Sequence, residues 1–290
     1  MTKIGVGLAG GFTTGLILWL MLRNAFRQPM FQRQNYRGQQ VPTATGVIVA
    51  LAILLVEGAS VLLSSMGLRD TTGVSYQGRQ MTLWLAVGMA LLGLLDDIGG
   101  HGQSGGFAGH LRELVRGRAT TGMVKLVGGA ALAIAVLGPD HPGGAWALLR
   151  DAGVVALAAN LGNLFDRAPG RVIKISGLVF IVMLIASHRS PELVGASIVM
   201  GAATALVVPD LREKLMLGDA GSNVLGASLG LGFVLVTSPG SRTVALVVLA
   251  ALNALSEVVS FSRIIDAVPP LRLLDRGLAP HRSRKDPRKA

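Results

Sequence analysis

The chain has 290 residues, 51% of them hydrophobic and only 15% charged, with a net charge of +11 and no cysteine. Soluble domains usually carry about a quarter charged residues, and here the apolar residues run in long blocks without a regular polar alternation. An ordinary water-soluble domain is therefore excluded, as are disulfides, thiolate metal sites and cysteine nucleophiles; the pattern is that of a helical integral membrane protein, whose backbone polar groups are paired within each span.

About nine spans are predicted, at 4–22, 45–66, 81–97, 121–138, 145–164, 172–188, 191–209, 220–238 and 243–264, each near the ~20 residues a bilayer needs. Residues 1–264 are read as one polytopic domain and 265–290 as a basic tail. Lys3 makes a weak positive region and no A-x-A site precedes the Arg-rich segment after residue 22, so no cleavable signal is expected. Arg23, Arg27, Arg33 and Arg37 follow the first span, and alternation places 98–120, 165–171, 210–219 and the tail on the same side. Only Lys3, Arg69, Arg79, Arg150, Arg189 and Arg242 fall opposite. The positive-inside rule makes the arginine-rich side cytoplasmic and puts the N-terminus outside.

That topology collects the polar motifs on one face. "LLDDIGG" (94–100) closes the third span there, "NLGNLFD" (160–166) closes the fifth, "LGDAGSN" (217–223) opens the eighth, and "LLDRGLAPHR" (273–282) lies in the tail. The opposite connections, "GPDHPGG", "SHRSPE" and "TSPGSR", are plain.

Neighbouring helical residues point about 100° apart, so Asp96 and Asp97 face different ways. Their oxygens suit a hard cation such as Mg²⁺, or they are solvated acids ending a span. Asn160, Asn163 and Asp166 share an arc of about 120° if helical throughout; they suit a nucleobase or phosphate, or bonds between helices. The Gly-flanked "LGDAGSN" offers free N–H groups to an anion, with a cation between it and Asp219, or is a helix cap made by Asp219 or Ser222. Lys125 either snorkels to the interface or pairs with phosphate or an acid. Glu57 and Glu257, deep in their spans, are expected to find partners within the bundle. His281 and Arg282 could contact a diphosphate or, with the rest of the tail, anionic headgroups.

Taken in order, these motifs resemble the polyprenyl-phosphate N-acetylhexosamine-1-phosphate transferases, a superfamily that includes phospho-N-acetylmuramoyl-pentapeptide transferase (glycosyltransferase family 4). "NYRGQQVPTATG" (35–46) resembles the family's Pro-Thr stretch, "LLDDIGG" its aspartate pair, and "TTGMVKLVGG" (120–129) its lysine segment. "NLGNLFD" resembles its Asn-x-x-Asn-x-x-Asp motif and "GDAGSNVLG" its Gly-Asp-x-Gly-Ser motif. The resemblance implies transfer of a sugar 1-phosphate from a UDP-N-acetylhexosamine to polyprenyl (undecaprenyl) phosphate, releasing UMP, in cell-envelope glycan synthesis, with Mg²⁺ as cofactor.

By residue match, Asp96, Asp97 and Asp219 would be catalytic, and Asp219, Asp97 and Asp166 would hold the metal. Lys125, Asn160, Asn163, Asp166, Ser222, His281 and Arg282 would bind substrate. The implied partners are the lipid carrier, the UDP-sugar and the bilayer of the inner (plasma) membrane, with no nucleic acid; homodimerisation is left open. Two departures stand out: "RAPG" follows Asp166 where the family often has Gly-x-Asp-Gly, and the tail keeps one histidine, His281. They motivate an alternative, a non-catalytic relative that binds lipid carrier or an envelope partner. An ion-coupled transporter is disfavoured, since its acids would lie near the midplane.

Overall fold

The computed structural model describes residues 3–35, 37–68, 76–100, 109, 113, 115–138 and 141–276. The described helices are α1 (Lys3–Leu22), α2 (Val47–Ser65), α3 (Tyr76–Gly99), α4 (Thr121–Leu137), α5 (Gly144–Phe165), α6 (Arg171–Ala186), α7 (Val194–Leu211), α8 (Asp219–Val236), α9 (Pro239–Val258), α10 (Phe261–Ala267) and α11 (Pro269–Arg276). A small antiparallel hairpin of β1 (Gln32–Gln34) and β2 (Gln40–Pro42) joins α1 to α2.

Among the described residues, seven helices are long and apolar enough to cross a membrane: α1, α2, α3, α5, α7 with its leading turn, α8 and α9. This is an all-α membrane bundle. The other two predicted spans coincide with α4, of 17 residues, and α6, of 16. At 1.5 Å per residue they reach only about 25 Å, short of a ~30 Å hydrocarbon core. The ninth predicted span is also interrupted, because α9 ends at Val258 and a separate helix begins at Phe261.

α8 is the pole of the bundle: 78% of its apolar window is buried, and α3, α5, α7, α6 and α2 pack around it. Its run of Gly, Ala and Ser explains how so many neighbours approach it closely. A similar device joins α1 to α7, where Gly7, Gly11 and Gly15 form a ridge; a β-carbon at Gly11 would stand 2.0 Å from the Ile198 carbonyl oxygen. By contrast, α9 contributes no buried residue and leans chiefly on α5.

Local signals account for the helix starts. Thr120 Oγ1 accepts the Met123 amide at 3.2 Å at the head of α4, and Ser238 Oγ accepts the Ser241 amide at 3.3 Å at the head of α9, with Pro239 in the first turn. Glu57 of α2 finds its partner in Arg79 of α3: Nε donates to Oε1 at 2.8 Å, and Nη2 donates to the other oxygen and to Ser60 Oγ at 2.7 Å. Both residues are buried, so the pair is a desolvated clamp between α2 and α3.

The hairpin braces the entry to α8. Met216 donates its amide to the Pro42 carbonyl at 2.7 Å, Thr45 Oγ1 donates to the Met216 carbonyl at 2.7 Å, and Gly46 donates its amide to the Leu217 carbonyl at 2.9 Å. The "PTATG" stretch therefore fixes the backbone just before Asp219. A β-carbon on Gly46 would fall 2.1 Å from the Gly221 α-carbon, which explains why nothing larger fits at that crossing.

Candidate functional site

The carboxyl end of α3 delivers its two acids in two directions, as the helical angle between neighbours requires. Asp97 reaches the start of α8: Oδ1 accepts the Asp219 amide and Oδ2 the Ala220 amide, both at 3.0 Å. A residue from another helix thus caps α8, and its charge meets the positive end of the helix dipole. Gly218 makes the approach feasible. Its φ is 69°, and a β-carbon there would lie 2.5 Å from Asp97 Oδ2. Arg33 of β1 completes the corner, donating Nη2 to the Asp97 carbonyl at 2.5 Å.

Asp96 turns toward α4. Thr121 Oγ1 donates to its Oδ1 at 2.5 Å and Lys125 Nζ to its Oδ2 at 2.8 Å. The same ammonium group also donates to Asp219 Oδ2, which in turn accepts Asn163 Nδ2 at 2.9 Å. Residues from α3, α4, α5 and α8 therefore meet around one carboxylate. Lys125 is only 12% exposed, so it pairs with acids inside the bundle and does not snorkel.

Asp166 follows the last turn of α5, outside the span. Burial pushes its carboxyl well above the usual carboxylate range; the charges of Asp210, Asp219 and Asp97 push the same way, and a hydrogen bond from the Gly218 amide opposes them. Asp210, buried at the end of α7, accepts the Gly170 amide at 2.9 Å. Asp166, Arg167, Asp210 and Glu213 line a cavity of about 190 Å³ that opens at this end of the bundle.

The other expected site residues lie elsewhere. Asn160 donates Nδ2 to Asn253 Oδ1 of α9 at 2.6 Å, and Asn253 donates in turn to the Leu249 and Leu157 carbonyls; this is a clasp between α5 and α9. Ser222 is fully buried and donates to the Gly218 carbonyl at 3.0 Å, so it stabilises the first turn of α8. His281 and Arg282 lie outside the described residues. Thr121, Arg33, Asp210 and Asn223 were not among the expected site residues. Asn223 sits one turn below Asp219, buried, with Nδ2 lacking a hydrogen-bond partner among the described residues; its sequence signal was its place at the end of "LGDAGSN".

Among the described residues, no three His, Cys, Asp or Glu side chains are already drawn to metal-ligand distance. The donor chemistry nevertheless fits a hard divalent cation. Asp97, Asp166 and Asp219 gather at the head of α8 with an excess of acid over base, every donor is an oxygen or an amide, and Lys125 already occupies a cation's place between two carboxylates.

The tail docks beside this end. Arg171, the last residue of "DRAPGR", makes a bidentate pair with Asp275 of α11 (Nε to Oδ1 and Nη2 to Oδ2, both 2.8 Å) and donates Nη1 to Ser262 Oγ at 2.8 Å. Phe165 stacks on Phe261 with ring centroids 5.2 Å apart. The residue that follows "RAPG" is thus bonded to the tail helix α11. No family model matches the chain, and no curated protein matches it significantly.

Proposed function

We propose that this chain is a Mg²⁺-dependent membrane transferase that moves a sugar 1-phosphate, with N-acetylhexosamine as the sugar, from a UDP-sugar to polyprenyl phosphate and releases UMP. The observation that carries the reading is the meeting of Asp96, Asp97, Lys125, Asn163, Asp166 and Asp219, from four separate sequence motifs, at one end of an apolar bundle. The arginine bias of the loops supports a cytoplasmic position for that end, in a plasma membrane crossed by seven to nine spans.

In this reaction an oxygen of the lipid phosphate attacks the sugar-bearing phosphorus, and the bond to the UMP oxygen breaks. A phosphate monoester is largely ionised at neutral pH, with a second pKa of about 6, so the acids are not needed to strip a proton. Their task is charge placement, which is most of what phosphoryl transfer asks of a protein. Asp97, Asp166 and Asp219 would hold Mg²⁺, which would supply neutralisation of the diphosphate. Lys125 adds a fixed positive charge beside Asp96 and Asp219, Thr121 holds Asp96 toward it, and Asn163 orients Asp219. The Asp97 contact to the α8 amides keeps these groups in register across the helix boundary.

The test is UMP release by purified protein given Mg²⁺, undecaprenyl phosphate and a panel of UDP-N-acetylhexosamines. Release that disappears in Asp219→Asn supports the reading; no release from well-folded protein across the panel overturns it. The non-catalytic reading draws on the Arg171–Asp275 pair, which already engages the altered "DRAPGR" stretch with the tail. Its signature is carrier binding without turnover that survives alanine at Asp96, Asp97 and Asp219.

A further inference from the structure

A second cavity, of about 630 Å³, opens between the end of α1 and the end of α7, beneath the β1–β2 hairpin. Its walls carry four cations, Arg23, Arg27, Arg212 and Lys214, with Trp19 beside them. None of the four makes a side-chain hydrogen bond or ion pair with another described residue. The acid in the wall, Glu213, is engaged by Arg37 at 3.2 Å and by Asn35 at 3.0 Å. The cavity is therefore strongly positive, and its charges are not spent on the described residues.

The surface leading to it is apolar. Phe12, Leu16 and Leu20 are exposed at helical spacing along α1, and the same stripe continues through Trp19 to Arg23. An oily track that ends in an aromatic ring and then in arginines matches an amphiphile, with chains along the helix and an anionic head at its end. A free phosphate has no use for the track. Basic pockets between spans at a bilayer surface are suited to phosphate-bearing headgroups, and Trp is at home at that depth. We infer that this cavity is a binding site for the headgroup of an anionic phospholipid, separate from the carboxylate site and sharing only Glu213 with its cavity. The site stands whether or not the carboxylates transfer a phospho-sugar.

The test uses full-length protein, stripped of lipid in a neutral detergent and offered diphosphatidylglycerol, phosphatidylglycerol, phosphatidylcholine or inorganic phosphate. Native mass spectrometry counts the bound molecules. Either anionic lipid should be retained over phosphatidylcholine and phosphate, and Arg23→Gln with Arg212→Gln should weaken retention at least tenfold. Arg263→Gln with Arg272→Gln, an equal charge loss at exposed positions of α10 and α11, should change it less than twofold. Equal loss in both pairs would reduce the effect to diffuse charge and overturn the site. So would retention of phosphatidylcholine or inorganic phosphate as strong as that of the anionic lipids. Should the first pair fail to fold, Arg27→Gln with Lys214→Gln decides by the same criteria, since both side chains are exposed.

Discussion

Both ends of α5 hold a buried acid among cations, and the two ends are built on opposite accounts of charge. At the far end Asp151 is fully buried and accepts from Arg150 at 2.7 Å, Arg242 at 2.8 Å and His141 at 3.1 Å. One carboxylate there faces two guanidinium groups, so nothing anionic is left over. At the near end four acids, Asp96, Asp97, Asp166 and Asp219, gather with two cations among the described residues, Lys125 and the Arg33 that bonds the Asp97 carbonyl. A buried acid with enough cations is a fastener between α4–α5 and α9. A set of acids with too few is a place for a cation to arrive. Acids meet cations at both ends; stoichiometry separates structure from function.

The sharpest way to break this comparison is to remove one acid from each end. Asp219→Asn should lower UMP release at least a hundredfold while leaving unfolding nearly unchanged. Asp151→Asn should leave most of the turnover and cost about 3 kcal/mol of stability, because it strands two partly buried arginines. Activity and thermal unfolding, measured on the same preparations, check the pair of outcomes. If Asp151→Asn lost turnover without losing stability, the division of roles would fail.

Lys125→Met sharpens it next. Without the resident ammonium, a divalent cation gains two unneutralised oxygens, so Mg²⁺ affinity should rise severalfold while turnover falls at least tenfold. Mg²⁺-dependent protection against thermal unfolding reads the first, and UMP release the second. A parallel fall in both would mean that Lys125 merely maintains the shape of the site.

The acid surplus also predicts a pH dependence. Asp166 holds its proton more tightly in the folded chain than in the unfolded one, because burial and neighbouring acids raise its pKa. Its contribution to stability is complete below about pH 4, the ordinary carboxylate value, and is lost as pH rises through the raised value in the fold. Asp166→Asn should therefore flatten the decline of the unfolding temperature above pH 4 in chelator. Mg²⁺ should restore stability to the parent protein most at the alkaline end. The smallest effect belongs to Asn160→Ala, which loses a bond to Asn253 worth about 0.6 kcal/mol by analogy with other buried helix–helix pairs. Its turnover should stay within a few-fold of the parent, whereas Asn163→Ala should lose at least tenfold.

Much of this was legible in the chain itself. The long apolar blocks located the helices, and the 100° step between residues foretold that Asp96 and Asp97 would part company. Glu57 was expected to need a partner, but only the approach of α2 to α3 identifies Arg79. Asn160 and Asn163, one helical turn apart in the same motif, were indistinguishable by pattern; the difference arises because α9 passes one and α8 the other. Asp210 was read as part of the 210–219 loop, yet α7 runs through Pro209 to Leu211 and carries the acid inward. Double duty was also invisible: Asp97 is a metal-ligand candidate by chemistry and a helix cap by geometry, so its replacement disturbs both.

The Arg171–Asp275 pair also sets a length scale. His281 is six residues beyond Asp275, and an extended chain covers at most about 3.6 Å per residue. His281 is therefore tethered within about 22 Å of the anchor, whatever path it takes. Cutting the anchor with Asp275→Asn removes that bound without altering any charge beyond it.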